Sequence, residues 1–161
     1  ETDEWLKQNQ KSTREFLRKW GHFCKHDALM KPIVPPKYDI GFILTNTNSN
    51  PNLLGSLEPW CSVIYTDGDY VGYQNKEKSQ TSFNLLDRVR ILESGKVNNI
   101  LIEIDGKTFN NQDYQIIQQL PDILQDSGEV GEFELGNLKI KVTSLDTYEH
   151  ELIKIKNHET V

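Results

Sequence analysis

The sequence predicts an α/β fold: a mixed sheet with a βαβ start and an antiparallel C-terminal hairpin, preceded by an N-terminal amphipathic helix. Three patterns carry that expectation. The apolar run Tyr38–Leu44 is followed by a short helical stretch and a second apolar run, Cys61–Thr66. Strict alternation runs through Glu132–Leu135 and Leu138–Val142 around Gly136-Asn137. Ahead of both, aromatic and aliphatic residues recur at helical spacing.

Taken in order, residues 3 to about 25 read as one helix. Trp5, Leu6, Phe16, Leu17, Trp20 and Phe23 fall on one stripe, and Thr2 is placed to cap the start. Asp3 and Glu4 suit a helix N-terminus, Glu15 and Lys19 stand four apart, and Gly21 marks an end or bend. Pro32, Pro35 and Pro36 then impose an extended connector. The chain therefore divides into a helical arm, 1–30, a proline-rich connector, 31–37, and an α/β body, 38–161.

Within the body, Pro51 opens a short helix ahead of the Cys61–Thr66 strand. Asp67 to Gln80 reads as a polar loop. A helix follows with Ser82 as cap, Leu85, Leu86, Val89 and Leu92 as its stripe and Gly95 as its stop. Asn99–Ile104 is a strand ended by Asp105-Gly106. Asn110 or Asn111 caps a further helix, which Pro121 kinks or divides and Gly128 ends. Leu152–Lys156 fits a last edge strand or a helix.

With 161 residues, the chain has the size of a single domain. No apolar run approaches the roughly 18–20 residues that span a bilayer. The sequence starts at Glu1 and its only methionine is Met30, as in a processed chain or a piece of a longer one. Cys24 and Cys61 form no metal-ribbon spacing, and no glycosylation sequon occurs, which predicts reduced thiols in a cytoplasmic protein. Net charge is −6. Residues 1–37 hold eight basic and five acidic residues, so the body carries the excess of acid. An acidic body lacks the basic footprint that nucleic-acid binding needs. The basic arm would either meet an anionic partner or pack on the acidic body.

Asp67-Gly68-Asp69 directly follows a strand, where open α/β sheets bind ligands. Two carboxylates there are suited to hold Mg²⁺ or Mn²⁺, which would neutralise a diphosphate. Asp-Gly is equally ordinary turn chemistry, and no glycine-rich phosphate loop accompanies it: Asn46–Asn50 follows the first strand. His22 and His26 share a face if helical, but no fourth zinc ligand stands near. Cys61 opens an apolar strand, the setting of an inert core thiol. Glu103 and Asp105 form either an acid pair or a strand end with a turn. Trp5, Phe16 and Trp20, on one stripe, are candidate partner-binding residues.

Two of these segments resemble parts of inverting family-2, GT-A type glycosyltransferases. The strand with Asp67-Gly68-Asp69 resembles that family's metal and nucleotide-sugar motif, over residues 38–69. Phe16-Leu17-Arg18-Lys19-Trp20-Gly21 resembles the Lys-Trp-Gly segment towards the end of some of these catalytic domains, over residues 16–36. The order is reversed here, since Lys-Trp-Gly precedes the acidic motif. The resemblance therefore implies a transferase tail with a separate body appended: an accessory or C-terminal domain of a sugar-transferring enzyme. A nucleotide sugar and a divalent cation at Asp67 and Asp69 are the ligands it implies. The alternative is a non-catalytic assembly module that docks through its aromatic helix.

Overall fold

The structure, a computed structural model, describes residues 3–23, 25–33 and 35–148. The Thr2 cap, Cys24 and the segment Leu152–Lys156 lie outside the described residues.

The expected fold class holds. Helix α1 spans Asp3–Trp20, and Gly21 ends it in a left-handed conformation at φ 79°. A two-strand ribbon follows, β1 (Lys25–His26) antiparallel to β2 (Pro32–Ile33). The body then runs β3 (Ile40–Thr45), α2 (Leu53–Leu57), β4 (Val63–Thr66), α3 (Tyr70–Glu77), α4 (Leu85–Arg88) and β5 (Val89–Ile91). It continues with β6 (Ile100–Asp105), α5 (Asn111–Gln118), α6 (Leu120–Ser127) and the hairpin β7 (Gly131–Leu135) and β8 (Leu138–Val142).

The main sheet has the order β5-β4-β3-β6-β8-β7. Strands β5, β4, β3 and β6 are parallel, and β8 enters antiparallel between β6 and β7. Register aligns Phe42 with Ile64 and Ile102, and Ile102 with Ile140, so these side chains line one face. That face is the core, closed by Leu53, Leu54 and Leu57 of α2, Ile117 of α5, Leu120 and Leu124 of α6, and Leu17 of α1. Burial of such aliphatic side chains is the main force holding the sheet to its helices.

The helices thus form one layer on one face. The opposite face carries Ile43, Leu101, Glu103, Lys139, Lys141, Glu132 and Glu134. Over β4 the segment 92–99 covers it: Tyr65 donates to Asn98 Oδ1 at 2.8 Å, and the Lys96 ammonium sits 5.2 Å from the ring centroid. With α2 and α5–α6 on the same face, the step from β3 to β4 and the step from β6 to β7 run in opposite directions along the sheet. The β6-to-β7 crossover consequently has the opposite hand to the β3-to-β4 crossover, a rare arrangement for parallel strands.

Several elements differ from the sequence expectation. Residues 67–80 are not a plain loop: Asp69 caps α3 by accepting from the Gly72 amide at 2.9 Å. The expected helix over 82–95 shrinks to Leu85–Arg88, with Asn84 rather than Ser82 as cap. Val89–Ile91 pairs instead as an edge strand, because Gln74 Nε2 ties the Leu85 and Val89 carbonyls and β4 offers an open ladder. Part of the connector, Pro32–Ile33, finds a ribbon partner in Lys25–His26. Asn110 caps α5 in a reciprocal box with Asp113, and Pro121 falls in the first turn of α6, dividing two helices.

Candidate functional site

The carboxyl edge of the sheet brings together the ends of β3, β4 and β6. Since β4 and β6 flank β3 on opposite sides, the crevice where such folds bind ligands lies between the β3 and β6 loops. Here the chain fills that crevice itself. Asn46 adopts a left-handed conformation at φ 54°, and its Nδ2 donates to Asp105 Oδ1 at 2.8 Å. The Gly106 amide donates to the Thr45 carbonyl at 2.8 Å. A Cβ at Gly106 would collide with the Asn46 carbonyl oxygen, so only glycine permits this closure.

Asp67 is drawn into the same closure. Its carboxylate accepts from the Asn46 amide at 2.9 Å, the Thr47 amide at 3.3 Å and the Thr47 hydroxyl at 2.6 Å. Burial pushes its carboxyl up, but the Thr47 hydroxyl and the loop amides outweigh that and hold it below the usual aspartate range. Gly68 leaves room for Thr47, whose side chain would lie 2.7 Å from an added Cβ. Asp69 turns the other way, to the α3 N-terminus. The two carboxylates of the motif therefore serve two different loops. Among the described residues no three His, Cys, Asp or Glu side chains gather into a metal-binding group.

Asp105 lies on this edge as well, held below its usual range by the Lys107 amide and then by Asn46. Glu103, two residues earlier on the same open face, lines a shallow cleft of about 310 Å³ with Thr45, Asp105, Thr108, Asn137 and Lys139. Cys61 is buried, and burial pushes its thiol far up, so it is no nucleophile in the folded chain. His22 is buried against the Phe16 ring, whereas His26 is exposed on the ribbon.

The second candidate region is α1. The helix packs on the body through Arg14, Leu17 and Arg18 and not through its aromatic stripe. Arg18 is fully buried and pairs with the fully buried Glu58, Nη2 to Oε1 at 2.6 Å. Arg88 reaches the other oxygen of Glu58 at 2.9 Å, and Tyr73 donates to Oε1 at 2.9 Å. Burial pushes the Glu58 carboxyl up, but Arg18 and Arg88 override it and hold it below the usual range. Arg14 adds bonds to the Gly55 carbonyl, Tyr73 and Glu77. Sequence reasoning missed this network entirely. Its one signal is Arg14 and Arg18, four residues apart on the side of the helix away from Trp5.

Trp5, Phe16 and Trp20 lie on a different side of the helix. Trp5 is 53% exposed and Trp20 38% exposed, while Phe16 is half-buried between Trp20 and His22. The Lys19 ammonium stands 5.1 Å from the Trp20 ring centroid. Compared with protein-family models, curated proteins and solved structures, the chain matches none.

Proposed function

We propose that this chain is an accessory α/β domain of a sugar-transferring enzyme, docked on its neighbour through the aromatic side of α1. One observation carries the reading: α1 is anchored by its Arg14, Leu17 and Arg18 side, while Trp5 and Trp20 keep a large part of their surface exposed. Exposed aromatic residues are efficient contact groups, since they bring a large contact area with few rotatable bonds to freeze. The resemblance of Lys19-Trp20-Gly21 to a transferase segment is the support for a transferase as that neighbour. A family-2 catalytic domain carrying this chain at its C-terminus should melt in one cooperative transition. Trp5→Ser with Trp20→Ser should split it into two while sugar transfer persists. A single unchanged transition in the double variant would sink the reading.

A second reading, nucleotide and metal binding at Asp67 and Asp69, is favoured by their place at the carboxyl edge. The clean test is Asp69→Asn, since asparagine keeps the helix cap but drops the charge, whereas replacing Asp67 would also unpin the β3 loop. On this reading a nucleotide sugar with Mn²⁺ raises the melting temperature and Asp69→Asn abolishes the rise. A flat response to ligand leaves both aspartates as loop-holding residues only.

A further inference from the structure

We infer that the tip of the β1–β2 ribbon is a peripheral docking point for an anionic lipid surface. The tip, residues 27–31, is tightly built. The Asp27 amide donates to the Lys31 carbonyl at 2.9 Å, and the Met30 amide to the Asp27 carbonyl at 3.0 Å. Asp27 Oδ1 accepts from the Leu29 amide at 2.8 Å and the Lys31 amide at 2.9 Å. This turn holds Met30 at φ 62°, a left-handed conformation that side chains other than glycine and asparagine rarely adopt.

The result of that strain is the display of two adjacent aliphatic side chains. Leu29 is 77% exposed and Met30 74% exposed. Phe23 and Ile33, at the base of the ribbon, are exposed as well. Scattered single apolar residues on a surface need no explanation, but two adjacent ones held out by a hydrogen-bonded turn do. A rigid protein acceptor would need a pocket shaped for the turn. A lipid interface deforms around it and takes aliphatic groups into its acyl boundary.

Charge selects the same surface. Residues 19–33 hold Lys19, Lys25 and Lys31 against one acid, Asp27, whose Oδ1 is tied to two amides. Arg14 and Arg18 of α1 are already paired with Glu77 and Glu58, so the basic excess that remains is this local one. An anionic surface attracts these lysines and repels the acidic remainder of a chain that is net −6, which favours a tip-first approach. The inference does not depend on the docking of α1 to a protein neighbour.

The test is co-sedimentation of the full chain with vesicles of phosphatidylcholine containing a quarter phosphatidylglycerol, and with phosphatidylcholine alone. Binding is expected on the anionic vesicles only, weakened in about 0.5 M salt. Leu29→Ser with Met30→Ser, both at exposed positions, should fold as the parent does by circular dichroism and bind roughly tenfold more weakly. Absence of binding at millimolar anionic lipid overturns the proposal, and so does binding that the double variant retains. Self-association without lipid that the double variant abolishes would also overturn it, by making the tip a protein contact.

Discussion

Glu58→Ala tests the buried charge network that fastens α1 to the sheet layer. In the folded chain the Glu58 carboxylate takes Arg18 Nε and Nη2, Arg88 Nε and the Tyr73 hydroxyl, at 2.6 to 3.0 Å for the shortest contact of each donor. Neither Arg18 nor Arg88 is exposed enough to find water in its place. Truncation leaves two buried cations facing one another, and breaking a buried pair in this way costs about 3–5 kcal/mol. At about 2–4 °C per kcal/mol for a domain of this size, the melting temperature should fall by roughly 10 °C. The sign with pH is equally definite. A carboxyl held below its unfolded value contributes stability above that value and loses it as pH falls through the folded one. The deficit of Glu58→Ala should therefore shrink in acid. Urea unfolding across pH measures both effects, and tryptic cleavage after Arg14 and Lys19 reports whether α1 detaches. The joint replacement Arg18→Met, Glu58→Leu and Arg88→Met should recover most of the loss, since the fully buried charges leave together while Glu77 keeps Arg14 and Glu15 keeps the Thr81 and Ser82 hydroxyls. A cost below about 1 kcal/mol for Glu58→Ala alone would refute the reasoning.

Two further predictions concern other positions. Burial lowers the Lys37 ammonium to about 8, against an ordinary value of 10.5, although it donates to the Arg18 carbonyl at 2.8 Å. The unfolded chain then binds more protons than the folded one between those values, so stability from this group rises with pH across that window. Lys37→Met should remove the rise in a denaturation series, and an identical pH slope in parent and variant would contradict it. Gly41→Ala places a Cβ 2.5 Å from Asn98 Oδ1, the acceptor of Tyr65, and should cost about 1–3 kcal/mol by thermal unfolding. A neutral result would mean that segment 92–99 moves aside freely.

Much of the fold was legible because its periodicities are clean. The alternation on β7 and β8 gave one edge of the sheet and the uninterrupted Ile40–Leu44 run gave a central strand, and Gly21 and Gly128 gave two helix ends. Local pattern failed where long-range contacts decide. Val89 suits a helix stripe as well as a strand, and the choice falls to β4, more than twenty residues upstream. The α1 stripe misleads for a related reason. Its aromatics look like the packing side, yet Arg18, a charge, is the residue fully buried, because Glu58 from another element awaits it. At the candidate site, sequence placed Asp67 and Asp69 at a strand end correctly. It could not show that Asn46 and Thr47 would occupy Asp67, a contact across twenty residues.

The insertion of β8 between β6 and β7 sets an order of assembly. As the chain leaves the ribosome, β6 has an open edge that nothing made so far can cover. When β7 emerges it has no place in the sheet, for its only neighbour there is β8. The two must close on each other first, through the short Gly136-Asn137 turn, and arrive as a finished ribbon. Hairpin closure takes microseconds, whereas synthesis of this stretch takes on the order of a second. Until residue 142 is out, the nascent domain exposes a sticky strand edge, and that interval is when it most needs a chaperone.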